Sequence, residues 1–185
     1  MTPSIGGSKL LIVGGVHGVG KSSICHEISE SIGATHIIAS DLIRSMGRKS
    51  DDGNKRVESI SQNQDVLVQA LNEVVSAGHC YLLDGHFALF KSDGTISDIP
   101  AGTFRSIHPI AVALVCDAPA AIAERLNGRD QKRFDLSTLE SLQAHERSNA
   151  EQVCQDLGIP LLITNTATAR EKLIEFATTQ FLDHW

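Results

Sequence analysis

The sequence predicts an α/β fold: three layers, doubly wound, around a mostly parallel five-stranded sheet, with a short hairpin and a short lid. Three observations predict it. Five short apolar runs alternate with longer stretches whose apolar residues recur at helical spacing. The runs are apolar at successive positions, as strands buried on both faces are. Glycine, aspartate or asparagine follows most of the runs, at the carboxyl edge where parallel sheets bind ligands.

The elements follow in order. Lys9 to Val13 is the first strand, and Ser22 to Ile32 a helix with Ile24, Ile28 and Ile32 on one face and Gly33 as its stop. Thr35 to Ala39 is the second strand. Ser40 or Asp41 caps the helix that opens at Ser40-Asp41-Leu42-Ile43-Arg44. Residues 47–56 are polar and read as a loop. Val57 to Gly78 reads mainly as a helix with Val66, Leu67, Ala70, Leu71, Val74 and Val75 as its apolar face. Cys80 to Asp84 is a strand. Lys91-Ser92-Asp93-Gly94 is a turn signal inside a hairpin over Phe87 to Ile99. A short helix near Thr103–Ile107 leads to a strand over Ile110 to Cys116. Pro119 to Leu126 starts a helix with proline in its first turn. A charged interval over 127–135 precedes a long helix from about Ser137 to Asp156, a last strand over Ile159 to Thr164, and a closing amphipathic helix from Thr168 to about Leu182.

Composition bounds the function. The 185 residues suit a single domain with a sizeable core, 42% hydrophobic and 21% charged. A net charge of −6 argues against nonspecific nucleic-acid binding, which uses a basic excess. No apolar run approaches the ~20 residues of a membrane span, and Met1 to Ser8 does not read as a signal peptide. Cys25, Cys80, Cys116 and Cys154 lack metal or redox spacing and read as buried free thiols, which suits a reducing, cytoplasmic setting. Oligomeric state leaves no signal here.

The chemistry is in the first loop. Gly15-Val16-His17-Gly18-Val19-Gly20-Lys21-Ser22 matches G-x-x-x-x-G-K-[ST], a phosphate-binding loop, between a strand and a helix as that motif requires. Its backbone amides cradle phosphate oxygens, Lys21 reaches the β- and γ-phosphates, and the Ser22 hydroxyl coordinates Mg²⁺. Ser23 continues the loop into the helix, whose positive end faces the same anion. Asp84 ends an apolar strand and is placed to hold the metal with Ser22. Asp41 and Arg44, one helical turn apart, and His86, two residues after Asp84, are candidates for the acceptor. Arg125, Arg129, Lys132 and Arg133 form a local excess of cations. With Gly128 as a hinge they read as a lid over about 127–136, bringing Arg129 and Arg133 to the transferring group. Arg147 either faces the site or pairs with Glu146 or Glu151 at the surface; the remaining histidines show no ligand spacing.

Together these residues resemble the nucleoside monophosphate kinases, and within them the archaeal-type adenylate kinases. Ser40-Asp41-Leu42-Ile43-Arg44 resembles the monophosphate-site helix, in an acceptor segment over about 40–78. Leu83-Asp84-Gly85-His86 resembles the strand-end acid and histidine, and Arg125 through Leu136 the arginine lid. The resemblance implies a single P-loop kinase domain over 1–185, with ATP and Mg²⁺ as cofactors and a monophosphate as acceptor. The chain departs from the common adenylate kinases at His86-Phe87-Ala88, where they carry Phe-Pro-Arg, so a second phosphate-gripping arginine is missing. Two alternatives stay open: a kinase acting on a small-molecule hydroxyl, with Asp41 or Asp84 as base, and a nucleotide-hydrolysing regulatory module.

Overall fold

The fold is that of a computed structural model, which describes residues 4–49, 60–91, 93–130 and 135–183, with backbone alone at 48, 49, 60, 61, 129 and 130. A 3₁₀ turn at Ile5–Gly7 leads into β1 (Lys9–Gly14), α1 (Lys21–Ser29), β2 (Thr35–Ile38), α2 (Ala39–Lys49) and α3 (Ile60–Val74). Then come β3 (Cys80–Asp84), β4 (Ala88–Phe90), β5 (Ile96–Asp98), α4 (Ala101–Ile107) and β6 (Ala111–Cys116). The chain continues through α5 (Pro119–Asp130), α6 (Leu136–Leu157), β7 (Leu161–Asn165) and α7 (Thr166–Asp183).

Five strands form one parallel sheet in the order β2-β3-β1-β6-β7, and β4 and β5 form the expected hairpin. Strand side chains alternate faces, so β1 serves two cores. Leu11 and Val13 pack with Ile24 and Ile28 of α1, Ile122 and Leu126 of α5, and Leu173 and Ala177 of α7. Leu10 and Ile12 pack with Leu67 and Leu71 of α3, Phe104 and Ile107 of α4, and Ala150 and Val153 of α6. Both faces being covered explains why β1, with six of six residues buried, reads as a continuous apolar run. β1 sits in the middle of the sheet, with crossovers leaving to both sides, and its carboxyl end is where a ligand crevice forms.

Several expectations shift. α2 starts at Ala39, so Ser40 and Asp41 lie within its first turn and do not cap it. Gly47 to Lys49 continue α2, and 50–56 lie outside the described residues. α3 ends at Val74, which is 47% exposed and so leaves the expected apolar face. α5 runs on through Asn127, Gly128, Arg129 and Asp130, which places Gly128 inside a helix and not at a hinge. Residues 131–134, with Arg133, lie outside the described residues, as does the Arg129 side chain. Cys80 and Cys116 are half-buried, while Cys25 and Cys154 are buried; all four thiols are free. No described helix is long and apolar enough to cross a membrane.

Candidate active site

The glycine loop joins β1 to α1 and is shaped by two backbone requirements. Gly15 has φ 138°, and a Cβ there would collide with the Val115 carbonyl of β6. Gly20, at φ 103°, precedes the first residue of α1. Both conformations suit glycine and few other residues. Val16 and Val19 are buried beneath the loop, and the Val19 N–H donates to the Val16 carbonyl at 3.2 Å. His17 and Ser23 are exposed, Gly18 is half-buried, and all three lie beside the phosphate-facing side of the loop with Lys21 and Ser22. The first turn of α1 directs unpaired N–H groups at that space.

Lys21 is the first residue of α1 and is 6% exposed. Its Nζ donates to the Gly15 carbonyl at 2.5 Å and the Val16 carbonyl at 3.3 Å, and stands 3.9 Å from Asp84 Oδ1. Burial pushes the ammonium below the usual lysine range, against the pull of Asp84 and Glu146. Ser22 Oγ donates to Asp84 Oδ2. Burial opposes ionisation of Asp84, but the His36 ring, the Lys21 charge and the Ser22 hydroxyl outweigh it and hold this carboxyl below its usual range. The sequence expectation that Ser22 and Asp84 meet is thus met in placement, across 62 residues of chain. They meet because β1 and β3 are parallel neighbours, with Val13 opposite Asp84.

These groups suit Mg²⁺. The ion takes one or two protein oxygens and completes its octahedron with water and phosphate. Ser22 Oγ and Asp84 Oδ2 are two adjacent oxygens. His36 Nε2, buried and without a hydrogen-bond partner among the described residues, lies 3.9 Å from the same Asp84 oxygen, a spacing a water can bridge. Sequence reading gave His36 no role. Its position in the second strand, beside a strand-end acid, was the available signal.

The site opens into a cavity of about 630 Å³. Lys21, Ser22 and Asp84 line one end. Ser40, Ile43 and Arg44 of α2, Gln64 and Leu67 of α3, and Phe104 of α4 line the other, and His86 lies on its wall. Arg44 Nη1 pairs with Asp41 Oδ1 at 3.0 Å, both more than half exposed. Asp41 is not among the described residues lining the cavity; it faces a groove on the other side of β2.

Two residues, Glu146 and Arg125, behave differently from expectation, while Arg147 takes one of the arrangements expected for it. Glu146, read as a surface charge, is 1% exposed. It accepts from His86 Nδ1 at 3.0 Å and from the Phe87 N–H at 2.9 Å. Arg147 pairs with Glu151 at 3.3 Å. Arg125, grouped by sequence with the lid, instead clamps the loop. It donates to the Gly18 and Val19 carbonyls at 3.0 and 3.1 Å and bonds to Asp117. Glu146 could be inferred only by noting that it stands one turn from Leu142 and Ala150, both buried on α6.

Replacing Glu146 with alanine strands one buried donor, the Phe87 N–H, and one partly exposed donor, His86 Nδ1, and is expected to cost about 1–3 kcal/mol in urea denaturation. Glu146→Gln retains one acceptor and should lose about half of that. Equal stability of all three proteins would show that the two donors find other partners.

A family model described as an AAA domain matches residues 14–143, from the glycine loop into α6. The chain belongs to the AAA-domain family. Known structures similar to this AAA domain include a gluconokinase from Sinorhizobium meliloti 1021, at 16% identity and a TM-score of 0.55 over 97% of this chain and 94% of that one. A sugar kinase from Janibacter sp. HTCC2649 aligns at 19% identity and 0.56, over 95% of both. The tunicamycin resistance protein of Deinococcus radiodurans aligns at 14% and 0.57, over 94% of this chain and 95% of that one. At these identities the likeness establishes the fold of the AAA domain. No curated protein matches it in sequence.

Proposed function

We propose that this AAA domain is an ATP- and Mg²⁺-dependent phosphotransferase that transfers the γ-phosphate to a hydroxyl of a small molecule. The observation that carries the reading is the continuity of one cavity, with phosphate-binding groups at one end and a largely apolar wall with a few polar side chains at the other. A hydrolysing switch has no use for the second half. A kinase requires it, because the acceptor must lie in line with the transferring phosphorus.

Lys21 and the loop amides hold the donor phosphates, and Ser22 and Asp84 hold the metal. Mg²⁺, when bound, neutralises charge on the phosphate oxygens. Arg125 keeps the loop in shape by bonding its carbonyls. As the acceptor oxygen bonds to phosphorus and ADP leaves, the hydroxyl gives up its proton. Asp84 is the described carboxylate on the cavity wall, His17 and His86 are the described imidazoles, and the proton passes to one of these three groups. Arg129 and Arg133 remain proposed lid residues that close over the transferring group.

A hydroxyl acceptor is favoured because Arg44 is the only described lysine or arginine lining the cavity besides Lys21, and its charge is spanned by Asp41. A monophosphate would need more positive charge there. The names of the structural neighbours, a gluconokinase and a sugar kinase, point the same way. The second reading, a monophosphate kinase of adenylate-kinase type, has one observation in its favour: Arg44 stands on the cavity rim.

The test follows ADP formation from ATP and Mg²⁺ with panels of monophosphates and of neutral alcohols. ADP that depends on an alcohol supports the proposal, and Arg44→Ala should then change the rate by less than about threefold. ADP that depends on a monophosphate and falls at least tenfold in Arg44→Ala establishes the second reading. Slow release that ignores every acceptor overturns both.

A further inference from the structure

We infer that His36 is a positioning residue of the metal site: its ring donates a hydrogen bond to the Asp84 carboxylate once Lys21 and Ser22 turn to the nucleotide and the metal. The inference rests on the reading that Ser22 and Asp84 hold Mg²⁺, and it names the group that fixes Asp84 there.

Asp84 ends β3, with Val13 of β1 opposite it on one side and Ile38 of β2 on the other. His36 lies two residues earlier on β2, opposite Leu82, so His36, Leu82 and Asp84 share one face of the sheet. Leu82 packs in the same core as Ile24 and Ile28 of α1, the helix that carries Lys21 and Ser22. Among the described residues, His36 Nε2 is the one buried side-chain nitrogen or oxygen without a hydrogen-bond partner. The ring is 12% exposed, and Asp84 Oδ2 stands 3.9 Å from Nε2. Buried polar groups are paired with few exceptions, so this one calls for a physical cause. A shortening of about 1 Å makes the contact a hydrogen bond, within the reach of a turn of the carboxylate about its soft terminal bond. The polarity of the pair follows from the carboxylate. A bare ring nitrogen would set its lone pair against an anionic oxygen, whereas Nε2–H meets that oxygen as a donor.

In the structure two other groups hold Asp84. Ser22 Oγ donates to Oδ2, and Lys21 Nζ stands 3.9 Å from Oδ1. Both have a second task, Lys21 at the donor phosphates and Ser22 at the metal, and nucleotide binding draws both toward it. No such task falls to His36. It is not among the described residues lining the cavity; it lines the groove beyond β2, and so reaches the reaction only through Asp84. A carboxylate that ligates a metal is itself held by hydrogen bonds from outside, and removing such a partner lowers metal affinity about 10- to 100-fold.

The test is calorimetric titration of the intact chain with ADP, with and without Mg²⁺. The ratio of the two affinities is the gain due to the metal. His36→Leu removes the donor at similar size and is expected to cut that gain about tenfold or more, while ADP affinity without Mg²⁺ changes by less than about twofold. His36→Gln keeps an N–H donor and should hold the gain within about threefold of wild type. Asp84→Asn should lower the gain by itself, and His36→Leu should then add nothing, because the two residues act as one unit. A histidine with a purely structural role would lower urea stability when replaced and leave the gain alone. The wild type supplies a measurement that no variant's folding affects: in histidine-labelled protein the His36 Nε2 proton should move downfield in NMR spectra when ADP and Mg²⁺ are added together. An unchanged gain in His36→Leu, equal losses in His36→Leu and His36→Gln, additive losses in the double variant, or an unmoved ring proton overturns the inference. The two readings fail differently. A wild type without any gain from Mg²⁺, or an Asp84→Asn protein that keeps it, removes the metal site and this inference with it. A gain lost in Asp84→Asn but kept in His36→Leu leaves the metal site standing and removes this inference alone.

Discussion

Lys21→Ala is expected to lower phosphoryl transfer by about 10³-fold or more while the protein still folds. Of the two described lysine and arginine residues lining the cavity, Lys21 is the buried one, 6% exposed and within 4 Å of Asp84. A charged donor in a water-poor site that meets charge developing in the transition state is commonly worth two to three powers of ten. The fold should survive because Lys21 is the first residue of α1, and its bonds go to two loop carbonyls and not to the sheet. Losing those bonds costs about 1–2 kcal/mol. Lys21→Met, which keeps the aliphatic stem, should show the same loss of turnover with a smaller loss of stability. Wild-type turnover in either variant would sink the assignment of the donor site. The two variants are compared by steady-state ADP formation and by urea titration.

Gly15→Ala should be the most damaging single methyl in the described chain. At φ 138° an L-residue is strained, and the new Cβ meets the Val115 carbonyl, which belongs to the sheet and cannot swing aside as a side chain can. Strain of this kind costs about 1–3 kcal/mol, and the backbone collision adds to it. A total of about 3 kcal/mol or more lowers Tm by about 6–12 °C for a chain this long. If the loop shifts to relieve the clash, nucleotide affinity falls in place of Tm. Gly128→Ala is the matched control. It lies inside α5 with nothing near its would-be Cβ, and helix propensity favours alanine there by up to about 1 kcal/mol. Differential scanning calorimetry with and without ATP should separate the two. A Gly15→Ala protein with unchanged Tm and unchanged ATP binding would mean that the loop is not held as described.

Most of what sets the donor site could be read from local pattern. The loop spacing, the strand before it and the acid at the end of β3 are each short-range signals. Their meeting follows once the sheet is parallel. What could not be read depends on contacts between distant segments. Glu146 lies in His145-Glu146-Arg147, a charged triplet that looks solvated. Its burial comes from the approach of α6 to the turn after β3; the helix period puts it on the face of Leu142 and Ala150, but does not name the donors it meets there. Arg125 was indistinguishable from its cationic neighbours until the structure put it against the loop carbonyls. The helix at Ser40 is legible in the sequence but its start is not, because Ala39 carries helical backbone straight from β2 and leaves no separate capping residue. Gln64 lies in the polar run Ser61 to Asp65, and its place on the cavity wall follows from how α3 is set against the sheet.

The stacked pair Phe87 and Phe104, with ring centroids 4.7 Å apart, joins the strand-end turn to α4. Phe87 is pinned from behind as well: Glu146 takes its N–H, and Asn149 donates to its carbonyl at 2.7 Å. The segment from His86 to Ile107 is a cassette that lines part of the cavity, held by these contacts to α6 and by Phe104 and Ile107 packed with Leu10 and Ile12. The residues proposed to handle the nucleotide lie elsewhere in the chain, in the loop after β1, in α1 and α5 and at the end of β3. A lineage could exchange one such cassette for another by recombination and acquire a new substrate in a single step, provided the aromatic latch and its two supports on α6 were kept.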